Sequence, residues 1–358
     1  MKIGILTHYQ AESHGACLQH YALTQFLRQQ GHEVYTLCYN RDYSFSSEHD
    51  RKKFSLKLTS IPFYLKEYVL RQGVPCFLTM MRKHFILRHF NLRSFQFLPY
   101  NTDHLDAVIV GSDEVWSLQT GIDTMMFGHN IQADRIIAYA PCFGQTTVEE
   151  ICAKECCERI RTGLAQFSAL SARDPHTQAV VHQLIGQKPP LVCDPALLYD
   201  FHTVSYRKRR TRKPYVVVYA YSSNLNEPDR IREITEYARS IHADIYAIGG
   251  YHRWCDKQII CDPLEMLHWF RSASAVITDT FHGTISAFLT NTPMAVYVRP
   301  SNTTKLYHLL SMLNLEDREV RIDNTLQQVF DTPYSPSTPL STLQKESTAW
   351  LKQALEQS

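Results

Sequence analysis

No stretch constrains the fold of this chain more tightly than Ala275 to Val298. Val276 and Ile277 make a short apolar strand, and Thr278 or Asp279 can cap a helix. Phe281, Ile285, Phe288 and Leu289 then recur at helical spacing until Asn291, and Thr292 to Val298 holds a second strand. Two strands joined through one helix lie parallel in the same sheet, with the helix crossing one of its faces. An α/β fold follows. In open sheets of this kind ligands bind beyond the carboxyl ends of the strands, where helix N-termini favour anions. His282 stands in the first turn of that helix, either as a structural imidazole or as one that meets substrate.

The alternation runs through the rest of the chain. Lys2 to Thr7 reads as a strand. A polar turn up to Gly15 leads into a helix carrying Leu18, Tyr21, Ala22, Leu23, Phe26 and Leu27; Gly31 ends it, and Glu33 to Leu37 is the next strand. No GxGxxG follows the first strand, which argues against a dinucleotide cofactor. Leu105 to Val110 is a buried strand whose tip, Gly111-Ser112-Asp113-Glu114-Val115-Trp116, combines polar groups with an aromatic and marks a second wall of a site. Asp113 there can cap a following helix or turn its carboxylate to the cleft, with Glu114 as an alternative base. Arg135 to Ala140 is a strand, Val148 to Ile160 a helix, and Ala169 to Ala172 leads to Arg173 at a further strand tip. Arg173 suits an ion pair with Asp174, a helix cap, or a fork for carboxylate or phosphate.

Leu191 to Pro195 reads as the last strand of this half, and the Arg- and Lys-dense stretch Thr203 to Pro214 as the linker. Beyond it come a strand at Tyr215 to Ala220, a helix at Glu227 to Ser240, a strand at Asp244 to Ile248 and a helix from Asp262-Pro263. The central βαβ unit follows, then a helix opened by Lys305 and a last helix from Leu340 to Leu355. The expected organisation is two Rossmann-like doubly wound domains, 1–203 and 204–335, facing a cleft, with 336–358 packing back across their junction.

Charge is unevenly spread. Between Arg41 and Pro99 eleven Lys or Arg stand against four Asp or Glu, an excess of +7 in a chain whose net charge is +2, so the remainder is −5. With Phe63, Tyr64, Tyr68, Phe77, Phe85, Phe90, Phe95 and Phe97 interspersed, residues 41–99 read as a basic insertion of amphipathic helices. The insertion is expected to form a cationic flap beside the acceptor groove, with Lys52, Lys53, Arg82 and Lys83 among its cations. It either presents a solvated face or attracts an anionic glycan or the anionic inner membrane surface. No apolar run reaches the roughly 20 residues needed to span a bilayer, and the N-terminus enters a strand directly, so a cytoplasmic protein is expected, peripheral to the membrane at most. The ten cysteines, scattered singly, read as reduced thiols. Cys152 and Cys156 fall on one face of one predicted helix, without partners at zinc-site spacing, and no metal is expected.

Four short motifs in order, Gly15-Ala16-Cys17-Leu18-Gln19-His20-Tyr21-Ala22-Leu23, Gly111 to Trp116, Asp194-Pro195-Ala196-Leu197-Leu198 and Thr278-Asp279-Thr280-Phe281-His282-Gly283-Thr284, resemble the polysaccharide pyruvyl transferase family. The resemblance implies a GT-B-like pair of domains and transfer of the pyruvyl group of phosphoenolpyruvate onto a sugar hydroxyl of a glycan or lipid-linked saccharide, with phosphoenolpyruvate as co-substrate and no further cofactor. No nucleic acid is implied. It puts His282 on the family's motif histidine, Arg173 on an arginine at a comparable strand tip and Lys305 on a basic position after the motif, the last two joining Thr280 and Gly283 on the donor side. Ser13, Gly15, Glu114 and Trp116 fall on the acceptor side, with Asp113 beside His282 in catalysis. The chain departs from many members in two places: Thr280-Phe281 replaces Arg-Leu before the histidine, and Ala16-Cys17 follows Gly15 where Asp-Glu is common. Two other readings share the architecture. One is a nucleotide-sugar glycosyltransferase, with a ribose carboxylate among Asp262 to Glu265. The other is a catalytically silent glycan-binding homologue.

Overall fold

The computed structural model describes residues 1–39, 73–99, 101–102, 104–118, 123–204, 211–334 and 340–356. In the first half β1 (Lys2–Leu6), β2 (Glu33–Cys38), β3 (Phe97–Pro99), β4 (Ala107–Val110), β5 (Ile136–Ala138) and β6 (Ala169–Leu170) form one parallel sheet in the order β3-β2-β1-β4-β5-β6. Its helices are α1 (His14–Gln29), α2 (Val74–Ser94), α3 (Val148–Ala153), α4 (Cys157–Leu164) and α5 (Pro175–Ile185). The second half carries β7 (Tyr215–Tyr219), β8 (Asp244–Ile248), β9 (Lys257–Ile259), β10 (Ala275–Thr278) and β11 (Met294–Val296), again all parallel, in the order β11-β10-β7-β8-β9. With it go α6 (Pro228–Ser240), α7 (Pro263–Ser272), α8 (Phe281–Leu289), α9 (Thr303–Met312), α10 (Leu326–Asp331) and α11 (Leu340–Glu356).

The central strands are short apolar runs. Ala107-Val108-Ile109-Val110 and Tyr215-Val216-Val217-Val218-Tyr219 are buried at every position, as strands of a parallel sheet covered on both faces must be. In each sheet the strand order reverses beside the first strand, between β1 and β4 and between β7 and β10, which is where doubly wound sheets open a crevice for ligand. One buried cluster runs from Ile3, Leu18 and Val192 to Val217, Val276 and Ile285, so the halves share a continuous core. Leu351 of α11 joins it; Ser347 Oγ accepts the Cys193 N–H at 3.0 Å and Gln344 Nε2 donates to the Leu198 carbonyl at 3.2 Å.

The expectations differ from the structure in four places. Leu191 to Pro195 is no strand: a single bridge joins Leu191 to Ala172, and Asp194 then caps a 3-10 turn at Pro195–Leu197, since Pro189, Pro190 and Pro195 have no N–H to give a ladder. The predicted helix from Val148 breaks in two at Glu155, whose φ is 55°. The break turns Cys156 into the core while Cys152 stays exposed, so the two thiols do not share a helix face. Phe97 to Pro99 is an edge strand on β2 rather than helix, placed where proline is tolerated. Of the basic insertion, residues 40–72 lie outside the described residues, Lys52 and Lys53 with them. The described part, α2, does not present Lys83 to solvent: Lys83 lies on the buried stripe with Cys76, Leu87 and Phe90.

Candidate active site

Four strand ends wall a cleft of about 460 Å³ between the halves: His8 to Ser13 after β1, Asp113 and Glu114 after β4, Ala220 and Tyr221 after β7, and Thr280 to His282 after β10. The start of α8 is held by local chemistry. Thr280 Oγ1 accepts the Gly283 N–H at 3.0 Å, and Thr278 Oγ1 donates to the Tyr219 carbonyl at 2.7 Å. A Cβ on Gly283 would stand 2.2 Å from Thr278 Oγ1, so glycine alone lets α8 lie this close to β10. The first residues of α8, Phe281 and His282, whose N–H groups have no intrahelical partner, line the cleft. His282 itself packs over α1, where a Cβ on Gly15 would come within 2.4 Å of the imidazole.

Behind these groups sits Asp194, wholly buried. Its Oδ2 lies 3.0 Å from Arg173 Nη1 and 3.4 Å from His282 Nε2, and its Oδ1 accepts the Ala196 N–H at 3.0 Å. Burial pushes the Asp194 carboxyl up, but His282 and Arg173 outweigh it and hold it below its ordinary value. Arg173 also reaches Asp113 Oδ1 at 3.6 Å, and its guanidinium lies 4.5 Å from the centre of the Phe281 ring. Burial disfavours its charge, yet Cys142, Asp113 and Asp194 raise its pKa, so it stays a cation. Its Nε, also buried, has no hydrogen-bond partner among the described residues. Asp113, in spite of burial, is lowered to about 2 by Arg173, His282, His8 and Lys305.

Two further ion pairs line the cleft. Lys305 of α9 pairs with Glu114 across it; burial lowers the ammonium's pKa, Glu114 raises it, and the net direction is up. Arg299 Nε lies 2.7 Å from Asp279 Oδ2, which also accepts from Asn224, while Asn302 Nδ2 donates to the Asp279 carbonyl at 2.7 Å. Lys83, 7% exposed, sends its ammonium from α2 to the Gly249 carbonyl of the second half, at 2.6 Å. The result is a concave, cation-rich site with the His282 imidazole at a helix N-terminus and the carboxylates of Glu12, Asp113 and Glu114 contributed by the first half.

The profile of the family described as polysaccharide pyruvyl transferase matches residues 14–301, most of the chain and the strand ends after β4, β7 and β10. The chain belongs to the polysaccharide pyruvyl transferase family. No curated protein matches it in sequence. Among solved structures, the putative UDP-N-acetylglucosamine 2-epimerase of Listeria monocytogenes shares the fold, at 11% identity and TM-score 0.50, with 100% of this chain and 97% of that one covered. The S. aureus MnaA–UDP structure aligns at 12% identity and TM-score 0.48 over 100% of this chain and 92% of that one. The UDP-GlcNAc 2-epimerase of Methanocaldococcus jannaschii aligns at 11% identity and 0.49 over 98% and 99%. The fold is GT-B-like, two doubly wound α/β domains about a cleft.

In this family member the structure brings His282, Asp113, Arg173, Lys305, Thr280, Ser13 and Glu114 to one cleft. Three expected residues are elsewhere. Trp116 is a core residue with no exposed surface: its Nε1 donates to the Met126 carbonyl at 2.7 Å and its ring stacks on Phe127. Gly15 and Gly283 lie under the wall, where they allow close packing. Asp113 caps no helix, because only a turn follows it. Sequence reasoning passed over Asp194, His8 and Arg299 as site residues, and it placed Lys83 on an exposed cationic flap rather than in the buried wall of the cleft. Arg299 follows β11 as Arg173 follows β6, so the same strand-tip argument applies to it. Lys83 was detectable as the one charged position on the helical stripe Cys76, Lys83, Leu87 and Phe90.

Proposed function

We propose that this family member transfers the pyruvyl group of phosphoenolpyruvate to hydroxyls of a glycan or lipid-linked saccharide, and that both substrates meet in the cleft between the two sheets. The observation that carries this reading is the grouping of Arg173, His282 and the α8 N-terminus around buried Asp194, with Lys305 and Arg299 lining the same cleft. A donor with a phosphate and a carboxylate needs several cations and oriented N–H groups, and an enol needs a positioned acid. His282 protonates carbon 3 while one sugar hydroxyl adds to carbon 2. A second hydroxyl then displaces phosphate from carbon 2 to close the ketal; of the two hydroxyl protons, one replaces that given to carbon 3 and the other leaves with the phosphate. Arg173, a permanent cation backed by two carboxylates, holds the donor's anionic end. Asp194 orients the His282 ring, so it is a positioning residue. Asp113, at about 2, is too weak a base for neutral pH, so Glu114 takes the hydroxyl proton and Asp113 tunes Arg173.

A nucleotide-sugar glycosyltransferase would need a free carboxylate for the ribose. Of the two carboxylates that reading offers, Asp262 and Glu265, Asp262 instead caps α7 by accepting the Glu265 N–H at 2.8 Å and pairs with Arg93 at 3.4 Å. Thermal-shift titration with phosphoenolpyruvate and with a panel of nucleotide sugars tests the proposal. A shift with phosphoenolpyruvate alone, followed by saccharide-dependent phosphate release, is expected. A shift with nucleotide sugars alone transfers the site to the glycosyltransferase reading, and no shift with either points to a silent homologue.

A further inference from the structure

The two faces of α2 carry different chemistry. Its inner face, Cys76, Leu87 and Phe90 with Lys83, packs on the first half and reaches the cleft. On the outer face Val74, Leu78, Met81, Phe85 and Leu92 follow one another at intervals of four, three, four and seven residues, which lines them up in a single stripe on a helix of 3.6 residues per turn. All five are exposed, from 39 to 63%. Isolated exposed apolar residues need no explanation, but a continuous stripe over most of a 21-residue helix does. Arg82 and Arg88 border the stripe, both exposed and neither in an ion pair among the described residues. Arg93 continues the border, 60% exposed where it meets Asp262, and the helix contains no Asp or Glu.

We propose that the outer face of α2 lies on an anionic lipid bilayer, with Leu78, Phe85 and Leu92 entering the acyl boundary and Arg82 and Arg88 meeting the headgroups. Charge complementarity selects this occupant: a helix without Asp or Glu, bordered by the cations Arg82 and Arg88, unpaired among the described residues, fits a negative lipid surface, whereas a second copy of the same helix would bring arginine against arginine. The geometry is that of an interfacial helix, since no helix among the described residues is long and apolar enough to cross a membrane. The opposite face sends Lys83 into the cleft, so bilayer contact sets the cleft's first-half wall beside the lipid surface.

Co-sedimentation of the full chain with vesicles tests the contact. Vesicles of phosphatidylcholine mixed with phosphatidylglycerol are expected to pellet the protein at low salt and pure phosphatidylcholine vesicles are not. Arg82→Ser and Arg88→Ser should each weaken binding about fivefold, and Phe85→Ser roughly tenfold or more. Because these side chains are exposed, unfolding midpoints should stay near the parent value, which separates lost docking from lost folding. Equal pelleting with both vesicle types, or binding unchanged by all three substitutions, overturns the proposal. So does binding to a soluble anionic polysaccharide in place of vesicles, or a dimer in sedimentation velocity that Phe85→Ser dissociates.

Discussion

The imidazole Nε2 of His282 lies 3.4 Å from the Oδ2 of Asp194, a carboxylate with no exposed surface. The same oxygen holds Arg173 at 3.0 Å, so one buried anion fixes both a titratable ring and a permanent cation from different halves of the molecule.

Removing that anion should cost more than activity. Among the described residues, Asp194→Ala leaves the Arg173 guanidinium, 3% exposed, with the longer contact to Asp113 as its one ion pair. A buried pair broken at one partner loses about 3–5 kcal/mol. Urea unfolding of Asp194→Ala should show a loss of that size, and Asp194→Asn, which still accepts a hydrogen bond, a smaller one. Equal stability of both variants and the parent would mean that the pair is not a structural element.

His282 and Gly15 should be coupled. Gly15→Ala puts a methyl within 2.4 Å of the ring, so one of the two must move, and overpacking of this kind costs about 1–3 kcal/mol. His282→Ala removes the obstruction. The double substitution should then recover most of the loss caused by Gly15→Ala, a coupling energy of at least about 0.5 kcal/mol in a double-mutant cycle. His282→Ala alone should lower turnover roughly 10²–10⁴-fold with little change in unfolding midpoint. Additive stabilities would show that the contact is not made in solution.

Much of this site follows from local pattern. The βαβ unit at Ala275 to Val296, the capped α8 and the strand-tip positions of Arg173 and Asp113 are consequences of apolar runs, caps and turns. What pattern cannot supply is direction across the fold. Trp116 sits two residues beyond Glu114, yet it turns into the core while Glu114 turns to Lys305. Only the packing of Phe127 and Phe143 against the indole decides that. Asp194 was hidden differently. Its role depends on partners 21 and 88 positions away, and its own neighbourhood, Cys193 and Pro195, gives no sign of them.

Asp113 separates two chemical roles by pH. Its folded pKa is lowered, from 3.8 to about 2, so it stabilises the fold above the unfolded value and that stability is lost as pH falls through the folded one. The window is acid, roughly pH 4 down to 2, and the contribution amounts to about 2 kcal/mol. Asp113→Asn should flatten the acid limb of the stability profile there. Held as an anion by Arg173, Asp113 should matter little as a base, so Asp113→Asn should keep turnover within about tenfold of the parent. A larger fall with unchanged stability would restore the general-base role.

The final prediction separates Lys83 from the basic residues around it. Lys83 and Arg82 are neighbours in sequence, but the arginine faces solvent whereas the ammonium is buried against the Gly249 carbonyl and lines the cleft beside Gln10, Glu12 and Ser13. Burial lowers the pKa of Lys83, and Glu12, Cys17 and Cys261 only partly restore it. Screening acts strongly on exposed charges and weakly on buried ones. Lys83→Met keeps the side chain's bulk among Cys76, Leu87 and Phe90 and leaves the Gly249 carbonyl without its donor, at a stability cost of about 1–3 kcal/mol. Because Lys83 comes from the first half and lines the cleft beside Gln10, Glu12 and Ser13, Lys83→Met should raise the KM for saccharide about tenfold and leave that for phosphoenolpyruvate unchanged, whereas Arg82→Ser in soluble assays should alter neither. Steady-state kinetics with each substrate varied in turn decides this: a matching rise in both KM values would place Lys83 on the donor, and no rise in either would make it a structural tie between the two halves.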